Sequence, residues 1–254
     1  VAGVLDGRSV VITGAGGGIG AVLAETFAGA GAIVVAADRA DVDLSALPAR
    51  HRVAFDLLDP ASTAAGAAAI EAAVGAPDVV VNNAGWTRAE SLSGLTDTAI
   101  GTETDLNLTG VMRFSRALLP AMRARRAGAF VFVSSVNALD HFGNPAYAAA
   151  KAGILAFSRA IAVECGRDGI RSNAVCPGSV RTPAWDHRIA RDPTIPQRLA
   201  ALYPLGRIVT PAEVAAAVLF LASPAASGIT GTTLAVDAGL TAGHLPFIRD
   251  ILGE

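Results

Sequence analysis

At 254 residues, 52% hydrophobic and 17% charged, the chain is long enough to bury a large core and reads as one α/β domain over residues 1–254. Twenty basic against 22 acidic residues leave a net charge of −2, which gives no polybasic field for nucleic acid or an anionic membrane. Two cysteines, Cys165 and Cys176, are too few for a secreted disulfide framework and have no metal-ligand spacing; with no apolar run of ~20 residues and no leader pattern, a metal-free cytoplasmic protein is expected.

In chain order, a first strand at 9–13 runs straight into TGAGGGIG at 13–20, which opens a helix over 18–30. Glycines there let the backbone approach a pyrophosphate, and the helix start supplies free N–H groups. Two registers fit: Gly16, Gly18 and Ala21 as GxGxxA, or Gly14, Gly18, Ile19 and Gly20 as TGxxxGIG. A second strand at 32–38 ends on Asp38, 24 residues beyond Gly14, where a carboxylate can accept from ribose hydroxyls. A 2′-phosphate about 4 Å from that carboxylate would cost roughly 4 kcal/mol per charge pair at an effective dielectric of 20, so NAD is expected over NADP. Arg39 is the competing feature, since a guanidinium can pair with a phosphate.

A strand at 52–56 ending on Asp56, a helix at 60–74, a strand at 78–85 carrying Asn83, Ala84 and Gly85, and a helix at 96–123 follow. Arg123, Arg125 and Arg126 fall at that helix's end, where cations favour the dipole. A strand at 129–135 leads to a helix at 145–166; a strand at 170–178, a Pro- and Arg-rich stretch at 179–210, a helix at 211–222 and a last strand at 232–239 complete the pattern. Near-continuous Val and Ile in strands separated by helices predict a doubly wound, Rossmann-type parallel sheet of seven strands with helices on both faces. The 179–210 stretch, with weak helical signals at 185–190 and 197–202, is read as a substrate lid.

Within the helix at 145–166, YAAAK sets Tyr147 and Lys151 four residues apart, hence on one face. A unit charge roughly 5 Å from a phenol, at an effective dielectric near 20, contributes about 3 kcal/mol, or about two pKa units. The expectation is that Lys151 brings the phenol, normally near 10, down toward proton-transfer range.

TGAGGGIG, NNAG, DLNLTG, SSV, YAAAK and PGSVRTP, in this order, resemble the short-chain dehydrogenase/reductase family over nearly the whole chain. The resemblance implies an NAD(P)-dependent oxidoreductase in which Tyr147 is the acid or base, Lys151 binds the nicotinamide ribose, and Asn107 joins a water chain to Lys151. It also implies a serine that holds the substrate oxygen. The family's usual Ser-to-Tyr spacing of thirteen points to Ser134, whereas alignment on SSV points to Ser135. Alternation lets only one face the substrate, and Ser135 is chosen, with the GNP turn at 143–145 absorbing the shortening. The implied cofactor contacts are Gly14, Gly18, Ile19, Gly20, Asp38, Asp56, Leu57, Asn83, Ala84, Gly85, Pro177, Gly178, Val180 and Thr182, with Tyr147 and Lys151.

The expected reaction is hydride transfer between a secondary alcohol and its ketone. Trp86, Asn137, His141, Asn144, Trp185 and His187, a polar and aromatic set around the expected pocket, suit a polyol, sugar or other small hydroxylated compound. The alternatives are an NADPH-dependent 3-oxoacyl-thioester reductase and a catalytically silent NAD-binding sensor or scaffold. The family also implies a homotetramer, and the apolar tail at 244–252, within a terminal segment at 244–254, is expected to pack on a neighbouring subunit.

Overall fold

A computed structural model describes residues 3–88, 91–182 and 185–253, leaving aside the side chains of residues 187 and 188. Strands β1 (Ser9–Thr13), β2 (Ile33–Asp38), β3 (His51–Ala54), β4 (Val79–Asn82), β5 (Gly128–Val133), β6 (Ile170–Pro177) and β7 (Thr233–Val236) form one sheet in the order β3-β2-β1-β4-β5-β6-β7. Every pairing is parallel. The expected seven-stranded, doubly wound fold is therefore present.

Alternation along buried strands separates two cores. Val10, Ile12, Val79, Val81, Val131 and Val133 pack on the side of α1 (Gly18–Gly29) and α8 (Pro211–Ala222). Val11, Val80, Phe130 and Phe132 face the other side, with α2 (Pro60–Val74), α4 (Gly110–Arg125) and α5 (Pro145–Cys165). Both faces being covered explains why the strands read as continuous apolar runs.

The strands stop earlier at their C-terminal ends than the expected 78–85, 129–135 and 232–239. Residues such as Asn83 and Ser135 are past the last ladder pair, because the chain turns there to line the crevice above the sheet. The single helix expected at 96–123 is α3 (Asp97–Thr104), a π-type turn at Asp105–Thr109, and α4. The Asn107 side chain donates Nδ2–H to the Glu103 carbonyl at 2.9 Å, the acceptor an α-helical Asn107 N–H would use. Competition for that carbonyl gives the local loosening a physical cause.

Helix α5 with its terminal turn, Pro145–Asp168, is 24 residues of mean hydropathy 1.3, long and apolar enough to cross a bilayer. This corrects the expectation that nothing in the chain reaches that length. Its apolarity serves the second core, where Ile154, Leu155 and Ile161 are buried.

The 179–210 stretch contains α6 (Asp186–Arg191) and α7 (Ile195–Ala200), and its two ends are joined by a parallel bridge between Val180 and Val209. Tyr203, 2% exposed, accepts the Ser179 N–H at 2.8 Å and holds the stretch close to the end of β6. In the tail, Phe247, Ile248, Ile251 and Leu252 are exposed, and Arg249 Nη1 donates to the Ala201 carbonyl at 3.2 Å.

Helix α8 starts on a capping box: Thr210 Oγ1 accepts the Glu213 N–H, and Glu213 accepts the Thr210 N–H at 2.8 Å. Arg207 grips the same carboxylate, and its hydrogen bonds hold Glu213 down to about 2. Thr210→Ala should destabilise the fold by about 1 kcal/mol in urea unfolding; an unchanged midpoint would show the cap to be dispensable.

Candidate active site

The strand order reverses between β1 and β4, and a cleft of about 690 Å³ opens at that switch point. Gly14, Gly18, Ile19, Asp38, Asp56, Leu57, Asn83, Ala84, Gly85 and Thr182 line it, as the sequence implied. Both registers meet steric limits: a Cβ at Gly14 would meet the Ala84 Cα at 2.7 Å and one at Gly16 the Val42 Cγ1 at 2.3 Å, but Gly14 alone of these two has a left-handed backbone, φ +65°. A Cβ at Gly20 would lie 2.0 Å from the Gly14 carbonyl oxygen, so Gly20 serves the packing of the turn rather than the cleft lining. Asn83 ties the β4 end to this turn by donating Nδ2–H to the Thr13 and Gly14 carbonyls at 3.1 and 3.0 Å.

At the far end of β2, the Asp38 carboxylate accepts the Gly16 and Arg39 N–H groups, each at 2.9 Å. The Arg39 guanidinium turns to Asp41 at 2.8 Å. Asp56 accepts the Leu58 N–H at 2.9 Å and so shapes the turn after β3.

A second pocket of about 210 Å³ adjoins the cleft and shares Ile19, Asn83, Gly85 and Trp86 with it. Ser135, Tyr147, Lys151, Pro177, Gly178 and Val180 line this pocket. Helix α5 presents Tyr147 after an Asn144 in the left-handed region, φ 53°, with Pro145 in its first turn. The two serines at the end of β5 diverge. Ser134, which also lines the pocket, donates Oγ–H to the Lys151 carbonyl at 2.9 Å and seats α5 on the sheet, while Ser135 Oγ donates to Asn137 Oδ1 at 3.3 Å and accepts the Asn137 N–H at 3.2 Å.

Lys151 is 3% exposed; its Nζ donates to the Val133 carbonyl at 3.0 Å and lies 5.6 Å from the Tyr147 ring centroid. Asn107, fully buried, lines neither pocket and braces the wall behind Gly85. Its Oδ1 accepts the Trp86 N–H at 3.1 Å and its Nδ2–H donates to the Trp86 carbonyl at 2.8 Å. A Cβ at Gly85 would meet Asn107 Oδ1 at 2.8 Å and Lys151 Nζ at 3.0 Å, so only glycine lets all three pack together.

The electrostatics overturn one expectation. Burial pushes the Tyr147 phenol up to about 12, against the lowering effect of its Ser135 hydrogen bond, and burial takes the Lys151 ammonium down to about 8. Taking either charged form out of water outweighs their mutual help, and the amine releases its proton before the phenol does. The pair in this structure therefore does not acidify Tyr147.

The polar set expected around the substrate is only partly assembled. Trp86 lines both pockets; Asn137 lines neither but bonds the Ser135 hydroxyl and donates Nδ2–H to the Gly143 carbonyl at 2.7 Å, and His141 is exposed. Trp185 donates its N–H to the Thr182 carbonyl at 3.0 Å and lines neither pocket. The His187 side chain lies outside the described residues.

A family model described as enoyl-(acyl carrier protein) reductase matches residues 14–241. A solved oxidoreductase of the short-chain dehydrogenase/reductase family from Burkholderia thailandensis is 41% identical, with a TM-score of 0.89 over 98% of both chains. The chain belongs to the short-chain dehydrogenase/reductase family. It is an oxidoreductase of a family that binds NAD or NADP. Among its relatives, the 3-oxoacyl-[acyl-carrier-protein] reductase of Vibrio harveyi is 36% identical over 93% of this chain and 98% of its own. The solved aldohexose dehydrogenase of Thermoplasma acidophilum is 31% identical, with a TM-score of 0.87 over 96% of this chain and 97% of its own.

Two features of this family member escaped the sequence reading. Glu103, 3% exposed, reads as an ordinary helix residue, yet it accepts the Arg88 N–H at 3.0 Å. Lys151 is the single lysine among 20 basic residues, a signal available from a count alone. That singularity allows a direct measurement: protein labelled with 15N-lysine should give one Nζ resonance titrating with a midpoint about 8. A midpoint at the ordinary lysine value of 10.5 would contradict the burial argument.

Proposed function

We propose that this oxidoreductase uses NAD to interconvert a secondary alcohol, on a small hydroxylated compound, with the corresponding ketone. One observation carries the reading: Tyr147 and Ser135 line one pocket with a buried Lys151, and that pocket shares a wall with a dinucleotide-sized cleft. The cleft suits that cofactor because the bare backbone of Gly14, Gly16, Gly17 and Gly18 lines it, the α1 N-terminus faces it, and Asp38 stands at its far end.

Nicotinamide, when bound, supplies the hydride chemistry. Gly14, Gly18 and Ile19 would hold its pyrophosphate, Asp38 its adenosine ribose, and Lys151 the second ribose. In ketone reduction the neutral Tyr147 phenol would give its Oη proton to the carbonyl oxygen while Ser135 holds that oxygen, and in alcohol oxidation the phenolate form takes the hydroxyl proton back. Below about pH 8 Lys151 keeps its proton, so a neutral phenol stands beside an ammonium, the arrangement suited to donating a proton to a carbonyl. Tyr147→Phe should lower turnover by about 10²-fold or more while NADH binding, followed by fluorescence titration, changes little. Turnover close to that of the parent would end this assignment.

Asp38 supports NAD over NADP, since a 2′-phosphate would meet a carboxylate and Arg39 is engaged with Asp41. The kcat/KM with NADH should exceed that with NADPH; the reverse order would refute it. A second reading, an NADPH-dependent 3-oxoacyl-thioester reductase, draws support from the Vibrio relative and from the family-model description. Asp38 weighs against it. The aldohexose dehydrogenase likeness supports a hydroxylated substrate.

A further inference from the structure

Glu103 is a buried carboxylate that the proposed reaction leaves without a role. It makes no ion pair among the described residues. Its partners are the Arg88 N–H at 3.0 Å and the Thr87 hydroxyl at 3.2 Å, both on the loop that follows NNAG. One turn later on the same helix, Asn107 holds the preceding residue, Trp86, through both its N–H and its carbonyl. Glu103 and Asn107 thus staple three consecutive residues, and two of these, Trp86 and Thr87, line the pocket that contains Tyr147. The Arg88 guanidinium turns to the Trp86 ring, 5.7 Å from its centroid, rather than to the carboxylate.

We propose that Glu103 is a positioning residue of the catalytic pocket: it pins the 86–88 wall and sets a carboxylate, without an ion pair among the described residues, behind the wall that faces the Tyr147 phenol. The charged or titratable groups acting on that phenol are Lys151 on its own helix, Cys176 from β6 and Glu103 from α3, with Ser135 contributing a neutral hydrogen bond. Glu103 and Cys176 both oppose ionisation, which adds to the effect of burial. The catalytic meaning of this charge rests on Tyr147 being the acid–base of the proposed reaction, but the measurements that test it need no turnover.

Two substitutions separate position from charge. Glu103→Gln keeps an acceptor for the Arg88 N–H and removes the charge, whereas Glu103→Leu removes both. The chain has two tyrosines, so protein labelled with 13Cζ-tyrosine gives two resonances, assigned with Tyr203→Phe. In Glu103→Gln the Tyr147 midpoint should move to lower pH, with Arg88 amide exchange within about threefold of the parent. In Glu103→Leu the Arg88 amide should exchange about tenfold faster or more, the loss of a charge-assisted hydrogen bond. An unmoved Tyr147 midpoint in Glu103→Gln overturns the proposal, whether or not Glu103→Leu folds, and so does unchanged Arg88 exchange in a folded Glu103→Leu. If Tyr147→Phe retains turnover, the functional reading falls while both of these measurements keep their meaning.

Discussion

The arrangement of this pocket depends on one buried ammonium. Lys151 has 3% of its surface exposed and a single backbone acceptor, the Val133 carbonyl at 3.0 Å. Elsewhere the chain meets its need for positive charge with arginine; only at position 151 is there a lysine. A guanidinium is planar, bulky and permanently charged, whereas an amine is compact and can shed its proton when buried. The surroundings are cut to that compactness. Gly85 has no room for a Cβ beside Nζ, Asn107 braces the far side of Gly85, and Ser134 fixes the helix turn by bonding the Lys151 carbonyl.

Burial acts on both members of the pair, and it acts against charge. The phenol resists losing a proton and the amine resists keeping one; Ser135 works the other way on the phenol and Cys176 on the amine. A pocket that holds Tyr147 neutral guards its proton until a reaction partner supplies compensating charge. In the proposed reaction that compensation belongs to the bound state, which separates the resting electrostatics of the protein from its working electrostatics. Glu103, placed on the wall-forming helix, strengthens the resting condition.

The fold contributes location rather than chemistry. Parallel strands end on one edge, the order reversal between β1 and β4 leaves a crevice there, and every loop that carries a motif emerges into it. The 179–210 segment, held by Tyr203 and by the Val180–Val209 bridge, reaches the crevice through Val180 and Thr182.

The amino-acid sequence by itself determined the seven strands and their helices, the glycine turn, Asp38, and the pairing of Tyr147 with Lys151. These are local signals: apolar runs bounded by turns, a glycine-rich strand-to-helix junction, and an i, i+4 spacing that a helix converts directly into proximity. It left two glycine registers open and chose between Ser134 and Ser135 only by alignment. The tertiary structure bears on both, through the left-handed backbone of Gly14 and through the Lys151 carbonyl that engages the Ser134 hydroxyl. It also decided what spacing cannot encode. Asn137 and His141 stand in the chain near the catalytic motif, yet one is committed to the Gly143 carbonyl and the other to solvent. The direction of the Tyr147 shift was misjudged from sequence for the same reason: Coulomb attraction can be estimated from a separation, but desolvation depends on everything packed around the two groups, and only the assembled fold contains that.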